Sequence, residues 1–196
     1  MHFLKKRAMR FGLGFVLILT LATGGSAITA FADSGTATVA VNAGSLTLTG
    51  VTNVSAPPVT LTGDDQTTTY DLGLTVNDPR GNAAGWNLTI TSTTFTGTSS
   101  SSNQLSTTAS SILAAPTFAC ISGGGHCTNP DNAGVTYPVG VPAAATAPTA
   151  VKFFDANVGF GLGKFTITPT VTVSIPANTI ADTYTSTVSV AVVSGP

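Results

Sequence analysis

The sequence predicts an all-β domain, an antiparallel β-sandwich of Ig-like or Greek-key type with long loops rich in Gly, Pro and Ser. Three observations carry that expectation. The chain contains no glutamate, and from Asp33 onward it is poor in lysine and leucine, so the strongest helix formers are scarce. Threonine and valine dominate instead, at alternating positions, which is the period of a strand with one buried face. The 21 glycines and 11 prolines gather mainly between the alternating runs, where turns are needed. A disordered stalk shares this composition, but it has no reason to keep a consistent apolar face from segment to segment.

Each element follows from its alternation. Ala37, Val39 and Val41 share one face, and Leu46 and Leu48 continue after the turn Asn42-Ala43-Gly44, which predicts a hairpin. Tyr70, Leu72, Leu74 and Val76 alternate with Thr69, Asp71, Gly73 and Thr75. Trp86, Leu88 and Ile90 point one way and Asn87, Thr89 and Thr91 the other. Phe165, Ile167, Val171, Val173 and Ile175 are all odd-numbered, with Pro169 inside the run, which predicts an edge strand or a kink at a bulge. Tyr184, Val188, Val190 and Val192 form the last apolar face. The stretch from Thr96 to Ser102 reads as a small-polar loop, and residues 120–148 as one long loop insertion.

The first ten residues carry Lys5, Lys6, Arg7 and Arg10, an uncharged apolar stretch runs from Phe11 to Ala22, and Ala30-Phe31-Ala32 precedes Asp33. That pattern predicts a secretory signal peptide over residues 1–32, cleaved between Ala32 and Asp33. The uncharged span reaching Ala32 is also long enough for a retained membrane anchor, although Thr23-Gly24-Gly25-Ser26 interrupts its apolar half. Residues 33–196 are then expected to form a single domain. They keep three cations, Arg80, Lys152 and Lys164, against eight aspartates, a formal charge near −5. Such a chain has no basic patch for phosphates, which excludes nucleic acid as a partner, and no cationic surface for an anionic membrane once the signal is removed.

Catalytic constellations are missing. Cys120 and Cys127 bracket Ile121-Ser122-Gly123-Gly124-Gly125-His126, and in an exported protein so close a pair reads first as a disulfide. Zinc is the alternative, but the spacing is too wide for a usual ligand pair and no fourth ligand stands near His126. His126 has no Ser-x-Gly elbow near it, and Asp64-Asp65 lies in a turn sequence rather than as a facing carboxylate pair. Phe160-Gly161-Leu162-Gly163-Lys164 leads into a strand pattern, not the helix of a phosphate loop. The expectation is a non-enzyme with no cofactor and no metal centre. Asp64, Asp65, Asp71, Asp78, Asp131 and Asp155 are hard oxygen donors in or beside loops, but without the Asp-x-Asp-x-Asp-Gly order they read as solvated turn residues, with structural calcium as the alternative.

From about Gly35 to Pro196 the chain resembles the WxL domain family of Gram-positive-type surface proteins. The resemblance rests on Trp86-Asn87-Leu88, on the turn Ile175-Pro176-Ala177-Asn178-Thr179, and on the closing strand from Thr183 to Val190. It departs from the family where a second Trp-x-Leu is usual, since Val190-Ala191-Val192 stands there. The resemblance implies a mostly β domain, secreted and held without a covalent link to the cell wall, through peptidoglycan, another wall polymer or another surface protein. Trp86, Asn87 and Leu88 are then the family-motif candidates for binding. Their spacing argues for packing instead, because Trp86, Leu88 and Ile90 share one face of a strand, and Val190 and Val192 suit an apolar slot better than a sugar platform. A carbohydrate-binding module would expose aromatics, whereas Trp86, Tyr70, Tyr137 and Tyr184 are mostly better placed as core. The competing reading is a structural surface protein that self-assembles through β-strand edges.

Overall fold

Alternating Thr with Val, Ile and Leu does build strands, fourteen of them among the described residues. The computed structural model describes residues 34–196; the expected signal segment and the Ala32–Asp33 cleavage point lie outside the described residues. The strands, in chain order, are β1 (Thr47–Thr49), β2 (Gln66–Asp71), β3 (Leu74–Asp78), β4 (Trp86–Thr93), β5 (Thr96–Gly97), β6 (Ser110–Ile112) and β7 (Thr117–Cys120). There follow β8 (Val139–Gly140), β9 (Ala143–Ala144), β10 (Val151–Ala156), β11 (Gly163–Thr168), β12 (Thr170–Ile175), β13 (Tyr184–Thr185) and β14 (Val188–Ser194). Among the described residues no helix is long and apolar enough to cross a membrane.

The expected antiparallel all-β fold is present, its strands divided among small sheets within the unit Val41–Pro196. One sheet runs β1-β3-β11-β7, a second β10-β4-β14, and a third β2-β12-β6-β8, while β13 and β5 form a ribbon. Only β9 is parallel to its neighbour, the end of β4.

Two breaks define a corner. Leu72-Gly73 separates β2 from β3, and Pro169 separates β11 from β12. At these facing points both chains leave one sheet for another: β3 pairs with β11, β2 pairs with β12, and the Leu72 N–H donates to the Pro169 carbonyl at 3.0 Å. Proline has no N–H to continue a ladder, so the kink expected within one strand is a change of sheet. The alternation survives it, with Leu72, Leu74, Val76, Phe165, Ile167, Val171 and Val173 all buried.

The core is a single cluster with β4 at its centre. Each fully buried Val, Leu, Ile, Phe or Met side chain contributes about 1.5–3 kcal/mol relative to exposure. Phe153 and Phe154 are successive, yet neither reaches solvent. The β10–β4 register shifts between Lys152 and Phe154, and such a bulge turns neighbouring residues to one side.

One expected element is absent. Residues 37–41 join no strand, and Val39 and Val41 are 84% and 91% exposed. The Gly44 N–H donates to the Pro79 carbonyl at 3.0 Å, and β1 pairs with β3 rather than with a preceding strand. Leu46 and Leu48 pack on the core, whereas the small Ala37 and the two valines offer less apolar area to drive pairing.

The Cys120–Cys127 disulfide is formed. The 120–148 segment beyond β7 is stitched to the domain at several points: β8 pairs with β6, β9 with β4, and Val141 is buried. In addition the Thr128 N–H donates to the Leu162 carbonyl at 2.9 Å, and the Tyr137 hydroxyl to the Phe153 carbonyl at 2.6 Å.

Candidate functional site

The Trp-x-Leu strand is the first place to look for a binding surface. Gly85 opens it with φ +73, where a Cβ would strike the Ala156 carbonyl. Trp86 then enters the core with no exposed surface. Its indole N–H donates to the Gly161 carbonyl at 2.9 Å, and its ring stacks on Phe154 with centroids 6.0 Å apart. Gly161 itself has φ +74, and a Cβ there would overlap the indole, so this close approach requires glycine. Leu88 is equally buried.

Across the ladder, Val192 pairs with Leu88 and Val190 with Ile90, so Val190-Ala191-Val192 meets the Trp-x-Leu motif only at Leu88, and Trp86 lies opposite Ser194. Val190 and Val192 are half-buried against the core. Asn87 points the other way and donates from Nδ2 to the Gly195 carbonyl at 2.8 Å. Arg80 closes the same end. Its guanidinium is bidentate on the buried Asp78 at 2.8 and 2.9 Å, donates to the Gly85 carbonyl at 2.7 Å, and reaches the Ser194 hydroxyl. Hydrogen bonding to Asp78 holds the Arg80 pKa above its ordinary value. Trp86, Asn87 and Leu88 therefore fasten β4 to its neighbours, and Trp86 and Leu88 have no surface to offer a ligand.

The aspartates are similarly engaged. Buried Asp155 pairs with Lys152 at 3.0 Å and accepts the Gly134 N–H. Asp131 accepts from the Asn157 backbone and side chain, Asp71 from the Thr170 hydroxyl, and Asp65 from the Ala177 N–H. Among the described residues no three His, Cys or Asp side chains gather as a metal-ligand group.

A groove of about 1030 Å³ offers a different kind of surface. Tyr70 and Val173 contribute to its floor from β2 and β12, and its two walls are residues 51–61 and 179–188. The Thr68 hydroxyl donates to the Pro57 carbonyl at 2.9 Å and the Gln66 amide to the Thr60 carbonyl at 3.0 Å, which fastens the first wall to β2. The second wall is held by the Tyr184 hydroxyl, which donates to the Ile180 carbonyl at 2.7 Å, and by Asp182. That carboxylate accepts from Asn103 Nδ2, the Ser99 N–H and hydroxyl, and the Thr183 N–H. These bonds, with Asn103 foremost, hold its pKa well below the usual carboxylate range.

Apolar side chains line this groove in the open. Val51, Val54, Leu61 and Ile180 are all substantially exposed, Ile180 by 62%. Tyr70 is only 8% exposed, and its hydroxyl has no hydrogen-bond partner among the described residues. Burial pushes its pKa up to about 12. The sequence reading missed this site. Its one legible sign was an apolar set, Val51, Val54, Val59 and Leu61, that follows neither a strand nor a helix period and is interrupted by Pro57-Pro58.

The sequence matches one family model, described as WxL domain surface cell wall-binding, over residues 45–196. No curated protein and no solved structure matches the chain.

Proposed function

This chain belongs to the WxL domain family of cell-surface, cell wall-binding proteins, and from that premise we propose that it is an exported protein held non-covalently at the wall through the groove between residues 51–61 and 179–188. The observation that carries this reading is the contrast in exposure. Four exposed aliphatic side chains, Val51, Val54, Leu61 and Ile180, gather along the groove, while the motif tryptophan is withdrawn into the core. The reading is of a binding protein, not an enzyme: His126 sits exposed on its glycine turn and hydrogen-bonds to no described side chain.

Co-sedimentation with isolated Gram-positive walls tests it. The protein should pellet with walls, persist through moderate salt because few charges are involved, and be released by denaturant without proteolysis. Ile180→Asp should weaken pelleting by about tenfold or more, since a charge would enter an apolar contact. Unchanged pelleting of that variant would move the contact surface elsewhere.

A second reading rests on β14. Among the described residues it pairs with β4 on one side only, which leaves a seven-residue edge for a second copy. Large soluble assemblies in size-exclusion, with no wall pelleting, would favour it.

A further inference from the structure

Taking the groove as the contact surface, we infer that its occupant is an extended, uncharged polypeptide segment that adds as a strand along residues 59–62, and not a glycan. The inference depends on the groove reading and concerns what the groove accepts.

Three observations support it. The first is open backbone. The chain runs from residue 50 to 62 without helix, turn or bend, and outside any strand. Among the described residues, no backbone N–H or carbonyl from residue 52 to 62 takes part in a backbone–backbone hydrogen bond. Only the Pro57 and Thr60 carbonyls are occupied, by side chains of β2. Pro57 and Pro58 have no N–H, so the contiguous donors are Val59, Thr60, Leu61 and Thr62. A straight run of unpaired donors and acceptors is a template for strand addition, with main-chain bonds giving affinity and adjoining pockets giving selectivity.

The second observation is Tyr70, which lies in the groove floor, is 8% exposed, and whose hydroxyl makes no hydrogen bond to a described residue. That hydroxyl is free to donate to an incoming backbone carbonyl. The third is charge and shape. Among the described residues Asp182 is the one charged side chain lining the groove, and its carboxylate is already occupied by Asn103, Ser99 and Thr183. A neutral occupant fits. Sugar rings stack on open aromatic faces, but Tyr70, Phe95 and Tyr184 are all at least partly buried, and the exposed lining is aliphatic.

Hydrogen–deuterium exchange on the full protein, free and bound to isolated Gram-positive walls, tests this. The amides of Val59 to Thr62 should exchange about tenfold or more slowly in the wall-bound state. Walls stripped of protein by protease should no longer bind, and purified glycan strands should not compete. Tyr70→Phe should melt like the wild type, because its hydroxyl has no partner in the free protein, yet bind about fivefold more weakly. Equal binding to stripped walls, or competition by glycan strands with unchanged exchange at 59–62, would overturn the strand occupant while leaving the groove as the site. Full wall binding by Ile180→Asp would instead remove the groove reading, and the occupant with it.

Discussion

The strand that begins at Trp86 and the groove between residues 51–61 and 179–188 draw on the same small set of residue types, but they treat those residues in opposite ways. At the Trp-x-Leu start of β4 the side chains are satisfied: the indole N–H has Gly161, the Asn87 amide has Gly195, and Leu88 is enclosed. In the groove Val51, Val54, Leu61 and Ile180 face solvent, the Tyr70 hydroxyl is unpaired, and a run of backbone has no sheet partner. The more conspicuous sequence motif is thus packed into the core, and the surface we propose for a partner lies in residues with no motif at all.

The sharpest break of this contrast is Trp86→Ala. Removing a fully buried indole that stacks on Phe154 and bonds to Gly161 should cost about 3–5 kcal/mol, read as a fall in melting temperature of roughly 10–20 °C. Normal melting would mean that the indole is not a structural anchor. Arg80→Ala should come close behind. It strips the partner from Asp78, which is 1% exposed, and unpaired buried charges of this kind cost about 3–5 kcal/mol. It also frees the Gly85 carbonyl and the Ser194 hydroxyl, so chemical denaturation should show β14 loosening along with the core.

The disulfide should matter less and act locally. Closing an eight-residue loop is worth about 2.5 kcal/mol in the chain-entropy estimate. Reduction should increase exchange around Gly123–Gly125 while the β-type circular dichroism persists, because β7 remains paired with β11. Global unfolding on mild reduction would show that the turn clamps the core.

Tyr70 gives an effect confined to alkaline solution, with a defined pH window. Its folded pKa, about 12, lies above the unfolded value near 10. Stability from keeping it neutral is fully present below pH 10 and is lost as pH rises through 12, because the unfolded chain releases the proton first. The loss should approach about 2–3 kcal/mol and vanish in Tyr70→Phe. Ionisation near 10 by ultraviolet titration would mean that the groove floor is wet.

How much of this was legible follows from range. The apolar faces of β3, β4, β11, β12 and β14 were readable because a buried strand face imposes its period locally. The Asp78–Arg80 pair was visible only as an aspartate continuing the even-numbered face of Tyr70, Leu72, Leu74 and Val76, a sign of burial passed over as a turn residue. Residues 37–41 failed the other way: their alternation is as regular as any, but strand formation depends on a partner that sequence spacing does not supply. Likewise Pro169 announced a break without announcing a new sheet. The groove had no period to read, since its walls are irregular segments brought together only by β2, β12 and the Asp182 bonds.

The division between scaffold and contact surface is tested most directly by one wall-binding titration with Trp86→Phe and Ile180→Asp side by side, below the melting temperature of both. Trp86→Phe keeps most of the apolar volume and should bind walls like the wild type despite reduced stability, while Ile180→Asp should melt normally and bind about tenfold or more weakly. Wild-type binding by Ile180→Asp, together with lost binding by a well-folded Trp86→Phe, would contradict the division and return the binding role to the tryptophan strand.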